Sequence, residues 1–289
     1  AAVGLAGGES AYIAMGDGVT VAAANGAFLL NPVLGGLRDL VAYKSSTTGP
    51  GPSDRMLLLR DQDPAVGVGS LDFGGPNAAT PASAAMQVLG ANAGATTSQT
   101  MAFLTGASCD FSLLYSASSV PDTGFTASGA PAALLRPSDF HQLVVSTIDA
   151  GGTSFRTVAE SFNQMAPRVL TFGDPLPALS VVTLSGAYLR LQATASPPTE
   201  YQSNAFLSYS AAVGGTTHLA SIVASSGWLG GSSATLIMPD LSDIPAFDAK
   251  APPPPSSSGR WTFTAAGMSG GSACTEGSRT VTATRTGIF

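Results

Sequence analysis

Short apolar runs, each cut off by Gly, Pro or Ser, limit the folds open to this chain more than any other feature. Among 34 glycines and 20 prolines, few segments can sustain a helix, whereas strands, typically about 5–6 residues long, fit between the breaks. Arg279-Thr280-Val281-Thr282-Ala283-Thr284-Arg285 and Arg260-Trp261-Thr262-Phe263-Thr264 alternate at period two and are rich in β-branched or aromatic residues, the pattern of half-buried strands. Leu143 to Asp149 and Ser154 to Phe162 flank Ala150-Gly151-Gly152-Thr153, and Phe206 to Val213 and Thr216 to Val223 flank Gly214-Gly215. Glycine reaches the positive φ angles of tight hairpin turns, so each set predicts a hairpin. Met56 to Arg60, Phe111 to Tyr115, Leu189 to Thr194 and Ala234 to Met238 add further strands. Phe155 to Met165 has some apolar residues at helical spacing, but it follows a hairpin signal and alternates, so it reads as strand. The expected class is all-β: antiparallel, immunoglobulin-like β-sandwich domains in tandem.

Charge is scarce. Twelve basic and eighteen acidic residues among 289, a net charge of −6 and a pI near 4.7 give no basic surface to displace counterions from a phosphate backbone, so nucleic acid is not expected as a partner. With 44% hydrophobic residues the chain can bury a core, unlike a disordered chain. Every apolar stretch is interrupted short of the roughly 18–20 residues of a membrane helix, so no spanning segment is expected. The chain opens Ala1-Ala2-Val3, and the expectation is that any export signal has been removed or was not included. Low Lys content and abundant Ser and Thr add to an extracytoplasmic expectation, whether secreted, periplasmic or at the cell surface.

Breaks in composition suggest three domains, 1–62, 63–173 and 174–289. Thr48-Gly49-Pro50-Gly51-Pro52 is a loop, and Asp63-Pro64 and Gly173-Asp174-Pro175-Leu176-Pro177 are junctions. Pro252 to Pro255 with Ser256-Ser257-Ser258-Gly259 reads as an extended, exposed loop, 252–259, linking two strands of the last domain. No fixed-period repeat is present.

Asp17-Gly18-Val19-Thr20-Val21, then Ala24-Asn25-Gly26-Ala27-Phe28-Leu29-Leu30-Asn31-Pro32-Val33, then Gly36-Leu37-Arg38-Asp39-Leu40-Val41-Ala42 together resemble a carboxypeptidase-regulatory-like, transthyretin-like β-sandwich module over about residues 10–60. Asn25-Gly26 suits a tight turn, after which Phe28 and Leu30 would share one face of a strand. The resemblance implies a fold and a spacer or binding role, with no catalytic residue.

Candidate chemistry is sparse. Gly267-Met268-Ser269-Gly270-Gly271 satisfies a G-x-S-x-G pattern, but a nucleophile elbow needs a helix after the Ser. A protease loop needs a His base and a buried Asp. His141 and His218 are the only histidines, and neither Asp-Phe-His-Gln nor Thr-Thr-His-Leu resembles the surroundings such a base requires. His141 next to Asp139 reads as a local hydrogen-bonded pair, and His218 as a partly exposed strand residue; zinc through both with an Asp lacks the usual close ligand pair. Asp240, Asp243 and Asp248 supply oxygen ligands of the kind calcium takes, although Asp beside Pro also favours turns; Asp61 and Asp63 are a weaker case. Cys109 and Cys274 either form one long-range bridge or remain two buried thiols.

No cofactor or metal is expected, and no catalytic residue is assigned. The expectation is a non-catalytic exported structural or binding protein at a cell surface, in an extracellular fibre or in a larger assembly. It would act through protein contacts or self-association, through an apolar tip such as Trp228-Leu229 or an unpaired edge strand. A secreted hydrolase using Ser269 is the alternative, as is a carbohydrate-binding protein using Trp228, Trp261, Tyr188, Tyr201 and Tyr209.

Overall fold

A computed structural model describes residues 1–16, 18–23, 25–31, 35–45, 54–106, 109–119, 124–229, 233–248, 251–272 and 274–289. The protein is all-β and its sheets are mainly antiparallel. The chain runs through β1 (Ala2–Val3), β2 (Ser10–Met15), β3 (Gly18–Val21), β4 (Arg38–Ser45), β5 (Arg55–Gln62), β6 (Leu71–Asp72) and β7 (Ala82–Leu89). There follow β8 (Thr96–Thr105), β9 (Asp110–Ser119), β10 (Phe125–Gly129), β11 (Phe140–Ile148), β12 (Ser154–Phe162), β13 (Arg168–Thr171) and β14 (Ser180–Leu184). Last come β15 (Arg190–Ala195), β16 (Asn204–Val213), β17 (Thr216–Ser225), the short helix α1 (Ser226–Leu229), β18 (Ala234–Ile237), β19 (Gly259–Ser269) and β20 (Arg279–Ile288). Phe155 to Phe162 lies in β12, so alternation outweighed helical spacing there. The loop at 48–52, Asp17, Ala24, and Pro32 and Val33 lie outside the described residues, as do the side chains of Phe111, Tyr115, Trp228 and Leu229.

The chain divides into two compact units: Ala1–Ser146, Val158–Thr171 and Ser269–Arg279 form unit 1, and Thr147–Thr157, Phe172–Met268 and Thr280–Phe289 form unit 2.

In unit 1, β3–β2–β4–β5 is an antiparallel sheet. Its Ile13, Leu40, Ala42 and Leu57 pack with Ala2 and Leu71 from the parallel β1–β6 pair and with Phe73 just after it. Asn25-Gly26 turns the chain as its residue types dictate: Gly26 has φ +78°, and the Asn25 Oδ1 accepts the Ala27 N–H at 3.0 Å. The Ala2 carbonyl also occupies the place a Cβ on Gly26 would take. No strand follows. Phe28 and Leu30 nonetheless face the core cluster while Leu29 is exposed, so the alternation survives without sheet pairing. Further on, β10–β7–β13 form a three-stranded sheet, and β12, β11, β8 and β9 are neighbours in that order. Met86, Val88, Phe103, Leu143, Val145, Phe162 and Leu170 are buried in this part of the unit. A disulfide joins Cys109, in the turn between β8 and β9, to Cys274, in the loop between β19 and β20, with Cα atoms 6.1 Å apart.

Unit 2 contains two antiparallel sheets, β14–β15–β18 and the run β17–β16–β19–β20. Their buried residues recur at period two: Leu191, Ala193 and Ala195 on β15; Ala205, Leu207, Tyr209 and Ala211 on β16; Phe263 and Ala265 on β19; Val281 and Ala283 on β20. Burying a side chain such as Phe263 is worth about 1.5–3 kcal/mol. Gly214 and Gly215, at φ +58° and +82°, make the two-residue turn between β16 and β17. At the turn from β11 to β12 only Gly152 has positive φ, +67°, so the second glycine predicted to supply it, Gly151, does not. There the Asp149 carboxylate accepts the N–H groups of Thr153 and Ser154. The 252–259 loop does link two strands of one unit, β18 and β19, but it is not wholly exposed. Pro253 is buried and its carbonyl accepts the Leu189 N–H at 2.8 Å. A backbone donor left over beside β15, the Leu189 N–H, draws the proline segment in.

Candidate binding surface

Among the described residues, strand β17 ends the strand order of its sheet, with β16 its neighbour on one side only. Its side chains divide by parity. His218, Ala220 and Ile222 are half-buried and Ala224 is buried; Thr217, Leu219, Ser221, Val223 and Ser225 are exposed, Leu219 by 77% and Val223 by 66%. The backbone divides the same way. Ser226 N–H donates to the Ser203 carbonyl, and the register continues as Ser225 opposite Asn204 through Thr216 opposite Val213. Hydrogen-bonded pairs alternate along an antiparallel ladder, so the even-numbered residues of β17 bond to β16. The N–H and C=O groups of residues 217, 219, 221, 223 and 225 therefore point away from β16.

Beside this strand lies a groove of about 370 Å³, lined by His218 to Ser221 together with Tyr188, Tyr209, Met238, Phe247 and Pro253. Aromatic contacts and buried hydrogen bonds build its walls. Tyr188 packs on Phe247 at 5.0 Å, its hydroxyl accepts the Leu241 N–H at 2.6 Å and donates to the Pro239 carbonyl at 3.2 Å. The Tyr209 hydroxyl donates to the Leu189 carbonyl at 3.2 Å, and burial, with Tyr188 nearby, raises its pKa. Arg190 lies over the Tyr188 ring and pairs with Asp240 at 2.9 Å. Hydrogen bonds from the Ser242 hydroxyl and N–H hold the Asp240 carboxyl below the usual carboxylate range. Each tyrosine hydroxyl is thus spent on backbone groups, and the rings present apolar faces.

The predicted site residues lie elsewhere or are otherwise engaged. Ser269 ends β19 and is exposed, with a loop rather than a helix after it. The glycines of its motif each have a backbone reason: the Glu200 carbonyl occupies the place of a Gly267 Cβ, and Gly270 and Gly271 have φ +77° and +97°. His141 is fully buried. It is not paired with Asp139; its Nδ1 donates to the Asn163 carbonyl at 2.9 Å and its Nε2 accepts the Ala130 N–H at 2.8 Å. Burial pushes its pKa down to about 4. Asp139 instead holds Arg60 and accepts the Arg136 N–H at 2.7 Å. His218 is a half-buried strand residue, as expected.

Asp240 closes an Asx turn, Asp243 and Asp248 are exposed, and among the described residues no three His, Cys, Asp or Glu side chains gather as metal ligands would. Tyr188, Tyr201 and Tyr209 are buried and Trp261 half-buried over Gly287, so these rings are not free platforms for a sugar. Among the described residues no helix is long and apolar enough to cross a membrane. A depression of about 510 Å³ in unit 1, lined by residues such as Phe28, Leu30, Pro64 and Val68, has no ionisable side chain among the described residues of its wall. Sequence reasoning anticipated an unpaired edge strand without locating it; the missed signal was the absence of any Asp, Glu, Lys or Arg between Glu200 and Asp240.

No protein-family model matches this chain, and no curated protein matches it significantly.

Proposed function

We propose that this is a non-catalytic, extracytoplasmic structural or binding protein that engages other polypeptides by strand addition at β17. The observation that carries the reading is a ten-residue edge strand with no charge, no proline and two exposed apolar side chains, Leu219 and Val223. Edge strands normally carry Lys, Pro or a bulge that blocks pairing. An extended segment placed against β17 gains main-chain hydrogen bonds and sets alternate side chains beside the groove. The Cys109–Cys274 bridge supports the compartment, since disulfides persist where the environment is oxidising.

Panning a displayed library of ten-residue peptides against the protein tests this. Uncharged, strand-forming sequences should be selected, and their binding should protect the amides of residues 217–225 from hydrogen exchange. Binding that survives in a folded Leu219→Lys/Val223→Lys variant would overturn the edge as the site. Labelling of Ser269 by a fluorophosphonate would overturn the non-catalytic reading.

A further inference from the structure

β17 matches itself. Resting on the strand-addition reading, we infer that its partner is a second copy of this chain, with the two β17 strands antiparallel about a two-fold axis through Ser221. Three observations lead there. First, an antiparallel ladder requires outward-facing residues to meet outward-facing residues. Because opposed residues must share parity, a two-fold axis passes through a residue rather than between two, and the outward-facing residues of β17 are the odd-numbered ones. Ser221 is the middle one, and only there does every outward-facing residue from 217 to 225 find an outward-facing counterpart.

Second, that register makes the exposed side chains complementary. Leu219 lies opposite the partner's Val223, and Val223 opposite the partner's Leu219, covering the two most exposed apolar side chains of the strand. On the other face Ala220, in the wall of the groove, lies opposite the partner's Ile222. A two-fold contact of this kind is isologous and closes on itself as a dimer.

Third, charge permits it. A chain of net charge −6 repels its copy wherever like charges meet. β17 and its neighbour β16 carry no Asp, Glu, Lys or Arg, so the approaching strands meet no such repulsion. By contrast β5, which ends the sheet of β2 to β5, carries Arg55, Arg60 and Asp61.

The test uses the full chain with its native disulfide. Sedimentation velocity over a concentration series should show a monomer–dimer equilibrium, and the Leu219→Lys/Val223→Lys variant, altered only at exposed positions, should remain monomeric with an unchanged far-ultraviolet spectrum. A Ser221→Cys variant treated with a short bis-methanethiosulfonate linker should give covalent dimer. Thr217→Cys should not, because its counterpart is Ser225. A protein monomeric at every concentration, or cross-linking that favours Thr217→Cys, overturns the inference. Selected peptides that bind such a monomer at β17 would leave strand addition standing and remove only the second copy. Loss of both self-association and peptide binding would remove the underlying reading as well.

Discussion

At the scale of single residues, the buried His141 is fixed by backbone partners rather than poised for chemistry. His141 gives its Nδ1 proton to Asn163 and takes one at Nε2 from Ala130, which sets the neutral tautomer. A Cβ on Gly129 would meet the imidazole, so the residue before Ala130 is small for a packing reason. Desolvation, the largest influence, pushes the pKa of His141 from 6.5 down to about 4. The unfolded chain then binds a proton on this side chain between those values while the folded one does not. Stability is complete above about pH 6.5, falls as pH drops, and levels below about 4. The interval corresponds to about 3 kcal/mol from this residue. Urea midpoints between pH 7 and 4 should show the decline, and a His141 imidazole titrating near 6.5 in the folded protein would refute it.

At the scale of elements, irregularities in strands do the positioning. Between β4 and β5 the register shifts after Arg38, so that Arg60 and Asp61 oppose Asp39, with Asp61 at φ +53° and its N–H on Asp39. The bulge sends the Arg60 guanidinium to Asp39 at 2.6 Å, to Asp139, and to the Leu134 carbonyl at 2.6 Å. Asp139 is fully buried, so removing it leaves a cation without its main partner. Asp139→Ala should cost about 3–5 kcal/mol, measured by chemical denaturation. Loss of under about 1 kcal/mol, the scale of an exposed pair, would show that Arg60 finds other partners.

None of this was legible in the sequence. Period-two alternation located β19 and β20, glycine turns the hairpins β11–β12 and β16–β17, and short runs bounded by Gly, Pro or Ser β5, β9, β15 and β18, because local backbone sterics impose each signal. A bulge, by contrast, depends on the strand opposite, and sequence distance, the one distance a sequence shows, pairs Asp139 with its neighbour His141 rather than with Arg60. Likewise an edge strand is defined by the pairing it lacks: Thr216 to Ser225 alternates as an interior strand would, and its position at the end of a sheet follows from topology alone.

At the scale of the whole molecule, neither compact unit is one continuous segment: the chain passes between them at 146/147, 157/158, 171/172, 268/269 and 279/280. Unit 1 therefore needs residues 269–279 from near the end of the chain. Within it, Ser161 and Ser278, and Asn163 and Glu276, are joined by hydrogen bonds, and Arg168 pairs with Glu276. Such long-range contacts form only after a large loss of chain entropy. The Cys109–Cys274 bridge spans 165 residues and removes much of that loss in advance by constraining the unfolded chain. The chain-entropy relation gives about 5 kcal/mol for a loop of this length. A Cys109→Ser/Cys274→Ser variant should therefore melt on the order of 10 °C below the oxidised protein, and a reductant should lower the wild type toward the same temperature while leaving the variant unchanged. Differential scanning calorimetry with and without reductant measures both. Equal melting temperatures for the variant and the oxidised wild type would mean that contacts around 269–279 hold the chain end in unit 1 without the bridge. In that case the hydrogen bonds at Ser161 and Asn163, rather than the covalent link, secure the last strands.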